Sequence, residues 1–228
     1  MYRLLILMLL AGMTFNCGGE QGTEAAEETT ETNTEAESAA PAPTGVVLNP
    51  NLASKEELMA LNGVDEALAQ QIIEGRPFLG MRDFYVLMAT AIGESEMEAF
   101  LPTCFVPLNL NTATEEEFKM VPGVGDKMAH EFEEYRPYKK VAQFRREMGK
   151  YVDEAEIARY EKYVFVPVEL NSATDEEILA IPGVGDRMLH EFKEYRPYTN
   201  MQQFIREIGK YVDDKELERL EYHVYLAE

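Results

Sequence analysis

The chain has no tryptophan, and among its 228 residues it has only two cysteines and three histidines. Cys17 and Cys104 are too few and too far apart for a disulfide framework or a clustered zinc pattern. His130 and His190 each have one carboxylate at helical spacing, Glu134 and Glu194, which is too small a ligand set for a metal. Basic residues are scarce as well: 21 lysines and arginines stand against 42 acidic residues, a formal net charge of −21. Such a chain repels nucleic acid at long range, so any nucleic-acid reading has to rest on local basic groups. No run of apolar residues approaches the roughly 20 that a bilayer-spanning helix requires. No nucleophile–base constellation is present, so neither an enzymatic activity nor a cofactor nor a metal is expected.

The apolar stretch that does occur, Leu4 to Met13, follows Tyr2 and Arg3 and has the length of a secretory h-region. Thr14-Phe15-Asn16-Cys17 and Gly18-Gly19 come next. This arrangement resembles the lipobox of bacterial lipoproteins, although Phe15 and Asn16 stand where small residues are usual. The resemblance implies lipidation at Cys17, a membrane contact through that lipid, and a cell-envelope location facing the periplasm or the outside. From Glu20 to Glu37 there are seven glutamates and no lysine or arginine. A segment of that composition cannot bury enough apolar surface to offset its ordering entropy. Residues 1–17 are therefore expected to be a signal peptide with its lipidation site, and 18–45 a disordered acidic linker.

The remainder is a repeat. Residues 111–165 align on 171–225 without a gap, with 32 of 55 positions identical. The same offset of 60 places 51–105 on 111–165, where Asn51, Gly63, Val64, Arg76, Pro77 and Phe84 keep register with Asn111, Gly123, Val124, Arg136, Pro137 and Phe144. Three units follow, 46–105, 106–165 and 166–228. Each reads as four short helices, so the fold class expected is all-α.

Ser54-x-x-Glu57, Thr114-x-x-Glu117 and Thr174-x-x-Glu177 are capping boxes that open the first helix of each unit. Ala113/Phe118 and Ala173/Ile178 occupy staple positions. Pro122 and Pro182 stop that helix. A second helix is expected from about Asp126 to Arg136, with Met128, Phe132 and Tyr135 at core spacing, and Pro137 ends it. A third runs over Val141–Met148 to Gly149. Asp153 caps a fourth, whose apolar residues are Ile157, Tyr160 and Val164. Tyr135, Tyr138, Tyr151 and Tyr163 read as core and rim packing, and Cys104 as a small buried apolar residue.

Between the first and second helices lie Pro122-Gly123-Val124-Gly125-Asp126-Lys127-Met128 and Pro182-Gly183-Val184-Gly185-Asp186-Arg187-Met188. Two glycines around one apolar residue suit a tight turn that lets another molecule approach the backbone. The following helix begins with unpaired amides, which favour an anion. Together with the lead-in Asn111-Thr112-Ala113-Thr114, this pattern resembles the helix-hairpin-helix module, and more narrowly the ComEA-type module of secreted DNA-uptake proteins. Leu189 stands where that family prefers alanine. The resemblance implies sequence-independent binding of double-stranded DNA. The phosphate-contacting residues carried over are Gly123, Val124, Gly125 and Lys127, then Gly183, Val184, Gly185 and Arg187.

Three departures qualify the pattern. In the first unit Asp65 replaces the second glycine, where its carboxylate would cap the helix and repel phosphate. The turns at Gly149–Asp153 and Gly209–Asp213 lack the glycine pair and read as structural. Asp126 and Asp186, immediately after the second glycine, are placed either to cap their own helices or to compete with an incoming phosphate. Charge also varies between units: three basic against nine acidic residues in 46–105, ten against twelve in 106–165, seven against fourteen in 166–228. The middle unit, with Lys127, Lys139, Lys140, Arg145, Arg146 and Lys150, is the one suited to an anion. The expected function is thus a non-catalytic, envelope-tethered protein that holds DNA phosphates. The alternative is an acidic scaffold of the envelope that binds a protein partner through the same fold.

Overall fold

The computed structural model describes residues 45–227, so Cys17, the expected signal peptide and all but the end of the acidic linker lie outside the described residues. Among the described residues the chain is all-α, with twelve helices and four strands of two residues each. The first repeat holds α1 (Lys55–Met59), α2 (Glu66–Glu74), α3 (Met81–Ile92) and α4 (Glu94–Phe100). The second holds α5 (Glu115–Phe118), α6 (Asp126–Glu134), α7 (Val141–Met148) and α8 (Glu154–Tyr160). The third holds α9 (Asp175–Leu179), α10 (Asp186–Glu194), α11 (Met201–Ile208) and α12 (Asp214–Tyr222).

The opening helices α1, α5 and α9 are too short to be stable alone. Each is fixed at its start by a capping box, with Ser54, Thr114 or Thr174 paired reciprocally with a glutamate three residues on. Each is fixed at its end by one buried apolar residue, Leu58, Phe118 or Ile178. An asparagine then ties the lead-in to the far side of the repeat. Asn111 Nδ2 donates to the Tyr138 carbonyl at 2.8 Å, and its Oδ1 accepts from the Tyr138 amide at 2.7 Å. Asn51 and Asn171 hold Phe78 and Tyr198 in the same way. An arginine adds a second tie: Arg136 donates to the carbonyls of Leu110 and Ala113, as Arg76 does to those of Pro50 and Ala53. Each of these arginines precedes a proline through a cis peptide bond. α6 ends at Glu134, two residues before the end expected ahead of Pro137.

Inside the second repeat, Phe132 stands edge-on to Phe118, Phe144 and Tyr160, with ring centroids 5.2 to 5.4 Å apart. Offset and edge-to-face contacts of this kind add to the burial of the rings themselves. Tyr138 and Tyr163 are buried, as is Cys104, whose thiol is free and pushed up to about 12 by burial.

One expectation fails here. Val164 is not the last apolar residue of α8 but the first of β2 (Val164–Phe165), which pairs in parallel with β1 (Leu108–Asn109). In the third repeat β3 (Val168–Glu169) pairs with β4 (Val224–Tyr225), and in the first a single bridge joins Leu48 to Cys104. The β-branched link between repeats therefore closes each one by joining its entrance to its exit.

The first two repeats share a continuous apolar core, whereas the third has its own. The third repeat still touches both others. Asn109 donates to the Tyr222 carbonyl and hydroxyl, and Lys215 donates to the Glu74 carbonyl at 2.8 Å. Among the described residues no helix is long and apolar enough to cross a membrane.

Candidate nucleic-acid interface

The hairpins join α5 to α6 and α9 to α10. Gly123 has φ +76° and Gly183 φ +81°, a region that favours glycine because a Cβ there is strained. Both glycines are exposed, while Val124 and Val184 between the glycine pairs point into the core. The turn thus presents backbone outward and anchors itself by its one apolar side chain. Gly125 and Gly185 are the N-caps of α6 and α10, and neither helix has a side-chain cap. Asp126 and Asp186 do not cap, contrary to expectation, because each is already the first residue of its helix. Asp126 instead receives Lys119 Nζ at 2.9 Å. The first-turn amides of α6 and α10 are left for solvent or for an anion.

Asp65 behaves as its position suggests. Its Oδ1 accepts from the Leu68 amide at 2.8 Å, so the carboxylate occupies the place an anion would take at the start of α2.

Lys127 and Arg187 are exposed and make no ion pair among the described residues. Lys127 Nζ lies 5.7 Å from the centroid of Tyr151, and Arg187 Cζ lies 5.9 Å from that of Tyr211. Such contacts hold a cation without neutralising it. The tyrosines are themselves held: Tyr151 and Tyr135 share a hydroxyl contact of 2.7 Å, and Tyr211 and Tyr195 one of 2.8 Å. Lys150 and Lys210 cover the other ring of each pair. The hydrogen bond shared with the partner hydroxyl, together with one to Glu131 or Glu191, pushes the phenol of Tyr151, and of Tyr211, above the usual tyrosine range. Tyr135 and Tyr151 are therefore not simple packing; they form a support beside the hairpin, built by the second turn of the repeat.

The other basic residues of the middle repeat are mostly spent internally. Arg145 binds Glu161 through two nitrogens at 2.5 and 2.8 Å. Arg146 and Lys150 share Glu147, and Lys140 reaches Glu177 at 3.3 Å. Of the six basic residues expected to attract an anion, Lys127 and Lys139 alone make no ion pair among the described residues.

Sequence reasoning missed the groups behind the hairpins. Arg159 is buried in α8, is bonded to Glu156, and donates to the carbonyl of Pro122 at the start of the hairpin. The hydrogen bond to Arg159 holds the Glu156 carboxyl below its ordinary range. A Cβ on Gly123 would stand 3.0 Å from the Arg159 guanidinium. Arg219 sits likewise behind Gly183, but its Nη1 has no acceptor among the described residues. A signal was present: an arginine three residues after a glutamate recurs at the 60-residue offset, and Ala99 replaces it in the repeat that carries Asp65. The third hairpin also has Leu52 of the first repeat against it, 3.1 Å from where a Cβ on Gly183 would lie. The hairpin at Gly123 has the more complete support and the more open surroundings.

His130 and His190 stand on exposed faces, 4.0 and 3.3 Å from Glu134 and Glu194. In the third repeat Glu191 joins the pair, and the ligating atoms of His190, Glu191 and Glu194 lie within 4.8 Å of one another. All three come from one turn of α10, with His190 and Glu194 open to solvent.

Residues 104–157 match the family model of the helix-hairpin-helix motif. That span runs from Cys104, at the end of the first repeat, into α8 of the second, and so contains the hairpin, Lys127 and the second turn. No curated protein and no solved structure matches the chain.

Proposed function

We propose that the second repeat, seconded by the third, binds the phosphate backbone of double-stranded DNA without sequence preference. The observation that carries this reading is the exposed turn at Gly123–Gly125. It runs into a helix with no side-chain cap and ends beside Lys127, a cation held by Tyr151 and free of carboxylates. A phosphate oxygen placed there would accept from first-turn amides while Lys127 supplies charge, and the contact would read no bases. Arg187 offers a second contact of the same kind. The helix-hairpin-helix match over 104–157 supports a nucleic-acid role. The likeness to secreted DNA-uptake modules and to lipoproteins leads us to place the protein in the cell envelope, tethered through Cys17 and without catalytic activity of its own.

Fluorescence anisotropy with a labelled duplex tests this. Binding is expected at about 20 mM salt, with log K falling against log salt at a slope of about −2 for two phosphate contacts. Lys127→Glu combined with Arg187→Glu should abolish it. Unchanged affinity in that double variant would overturn the reading. The competing reading, an acidic envelope scaffold, draws on the internal pairing of Arg145, Arg146, Lys140 and Lys150. It predicts a protein partner that the same double variant still retains.

A further inference from the structure

The three repeats meet at two junctions built from equivalent residues, and the two junctions are not alike. Between the first and second repeats, Met81 is fully buried and its sulfur accepts from the Val106 amide at 3.3 Å. Phe105, Val106 and Leu108 are buried beneath the same packing. Between the second and third repeats the equivalents of these four residues are Val141, Phe165, Val166 and Val168. Val141 is 41% exposed, and the other three are only half-buried. They line a cavity of about 790 Å³ together with Ile181 and Tyr225.

The cause lies at the rim. In the closed junction Glu117 accepts from the Met81 amide at 3.1 Å and comes within 2.6 Å of where a Cβ on Gly80 would be. Gly80 leaves room for that approach, and a Cβ there would press on the carboxylate end of Glu117. Lys140 stands at the equivalent place, and its counterpart glutamate, Glu177, pairs with the Lys140 ammonium instead. The volume of Met81 is missing too, because valine replaces it. An apolar wall that is covered in one junction is therefore left bare in the other, beyond the few isolated apolar side chains a surface ordinarily shows.

The rim gains charges of both signs. Leu101 and Asn109 of the closed junction become Glu161 and Glu169. Leu79, Gly80 and Tyr85 of the first repeat become Lys139, Lys140 and Arg145. The carboxylates around the cavity are already satisfied. Glu161 is bound by Arg145, and Glu177 by Lys140 and the Thr174 amide. Glu169 accepts from the Asn171, Ser172 and Ala227 amides and from the Ser172 hydroxyl. Lys139 is exposed and makes no ion pair among the described residues. A half-enclosed, mainly apolar space of this size with a few placed charges has the character of a small-molecule site.

We propose that this cavity binds a single-chain amphiphile with an anionic head group. The chain lies on Phe165, Val166 and Val168, taking the place Met81 fills in the other junction, and the head group meets Lys139. Long-chain carboxylates and lysophospholipids share this chemistry.

Isothermal titration of the full-length chain with oleate, below its aggregation concentration, tests the proposal. The expected result is one saturable site, with lysophosphatidate competing and neutral dodecyl maltoside failing to compete. The double variant Lys140→Gly with Val141→Met restores the closed junction and should eliminate binding. Lys139→Glu, a surface change that leaves the fold intact, should weaken it about tenfold by reversing one exposed charge interaction. Absence of oleate binding would overturn the proposal. So would equal competition by dodecyl maltoside, unaltered affinity in both variants, or association with phosphatidylglycerol vesicles without a saturable oleate site.

Discussion

The first and second repeats carry the same four helices, the same asparagine tie and the same inward arginine, yet they end in hairpins of opposite character. In the first, Asp65 caps α2 from within and Ala99 leaves the turn without a buried cation behind it. In the second, α6 starts uncapped, Arg159 holds the Pro122 carbonyl, and Lys127 rests on Tyr151. The residues that make the fold are thus separable from those that make the site. One copy keeps the first set and carries other residues in place of the second.

The largest effect is expected from Arg159→Ala, which imposes Ala99 of the first repeat on the second. It leaves the Pro122 carbonyl and the Glu156 carboxylate without their partner. Loss of one member of such a buried pair costs about 3 kcal/mol, read as a lower denaturation midpoint in urea. The corresponding Ala99→Gly change, which removes no partner, should cost under about 1 kcal/mol, the helix-propensity difference alone.

A comparable effect separates the third repeat from the second, in which Tyr163 stands where the third has His223. His223 is buried, bonded through Nδ1 to the Arg219 carbonyl and stacked on Phe165 at 4.3 Å. Burial pushes its imidazole down to about 4 from the ordinary 6.5. The folded chain therefore keeps it neutral while the unfolded chain takes up a proton. Its contribution to stability is complete above pH 6.5, declines as pH falls from there to about 4, and changes no further below that. The loss amounts to about 3.5 kcal/mol at most, at about 1.4 kcal/mol per pKa unit. Urea denaturation at pH 7.5 and 4.5 measures it, and His223→Phe should remove that part of the pH dependence.

A smaller difference comes from the caps. Asp65→Ala should destabilise by about 1 kcal/mol, the usual cost of a lost N-cap. Asp126→Ala removes no cap and should change thermal stability by less than about 0.5 kcal/mol. Equal effects of the two would mean that the hairpins do not differ as described. The smallest effect, and the most direct test of the comparison, is a gain. Asp65→Gly with Ala67→Lys gives the first repeat the features of the second and should steepen the salt dependence of duplex binding by about one unit.

Much of this was legible before the structure. The capping boxes at Ser54, Thr114 and Thr174 set where three helices start, because a hydroxyl and a carboxylate three residues apart meet only when that turn is helical. The bounds of α7, and the self-capping of α2 by Asp65, followed from the same local logic. The strands did not. Val164 continues the apolar spacing of α8, and what places it in β2 is pairing with Leu108, a residue far back in the chain. Tyr151 reads as packing from the sequence, because nothing local says that the second turn of the repeat places its ring beside Lys127. The ion pairing of Arg145, Arg146 and Lys150 was equally out of view, so the count of basic residues overstated what an anion would meet.

The sequence by itself determined the threefold repeat, its helices and their caps, and the replacement of the second hairpin glycine by a self-capping Asp65 in the first copy. All of these depend on hydrogen bonds and periodicities within a few residues. The tertiary structure alone decided which turn is clamped from behind, which lysines stay free of carboxylates, and why one junction seals while the other stays open. Those outcomes turn on contacts between residues dozens of positions apart, such as Arg159 with Pro122 or Glu117 with Gly80. There Glu117 reaches the Met81 amide past Gly80, whereas Glu177 is taken up in an ion pair by Lys140 at the equivalent place.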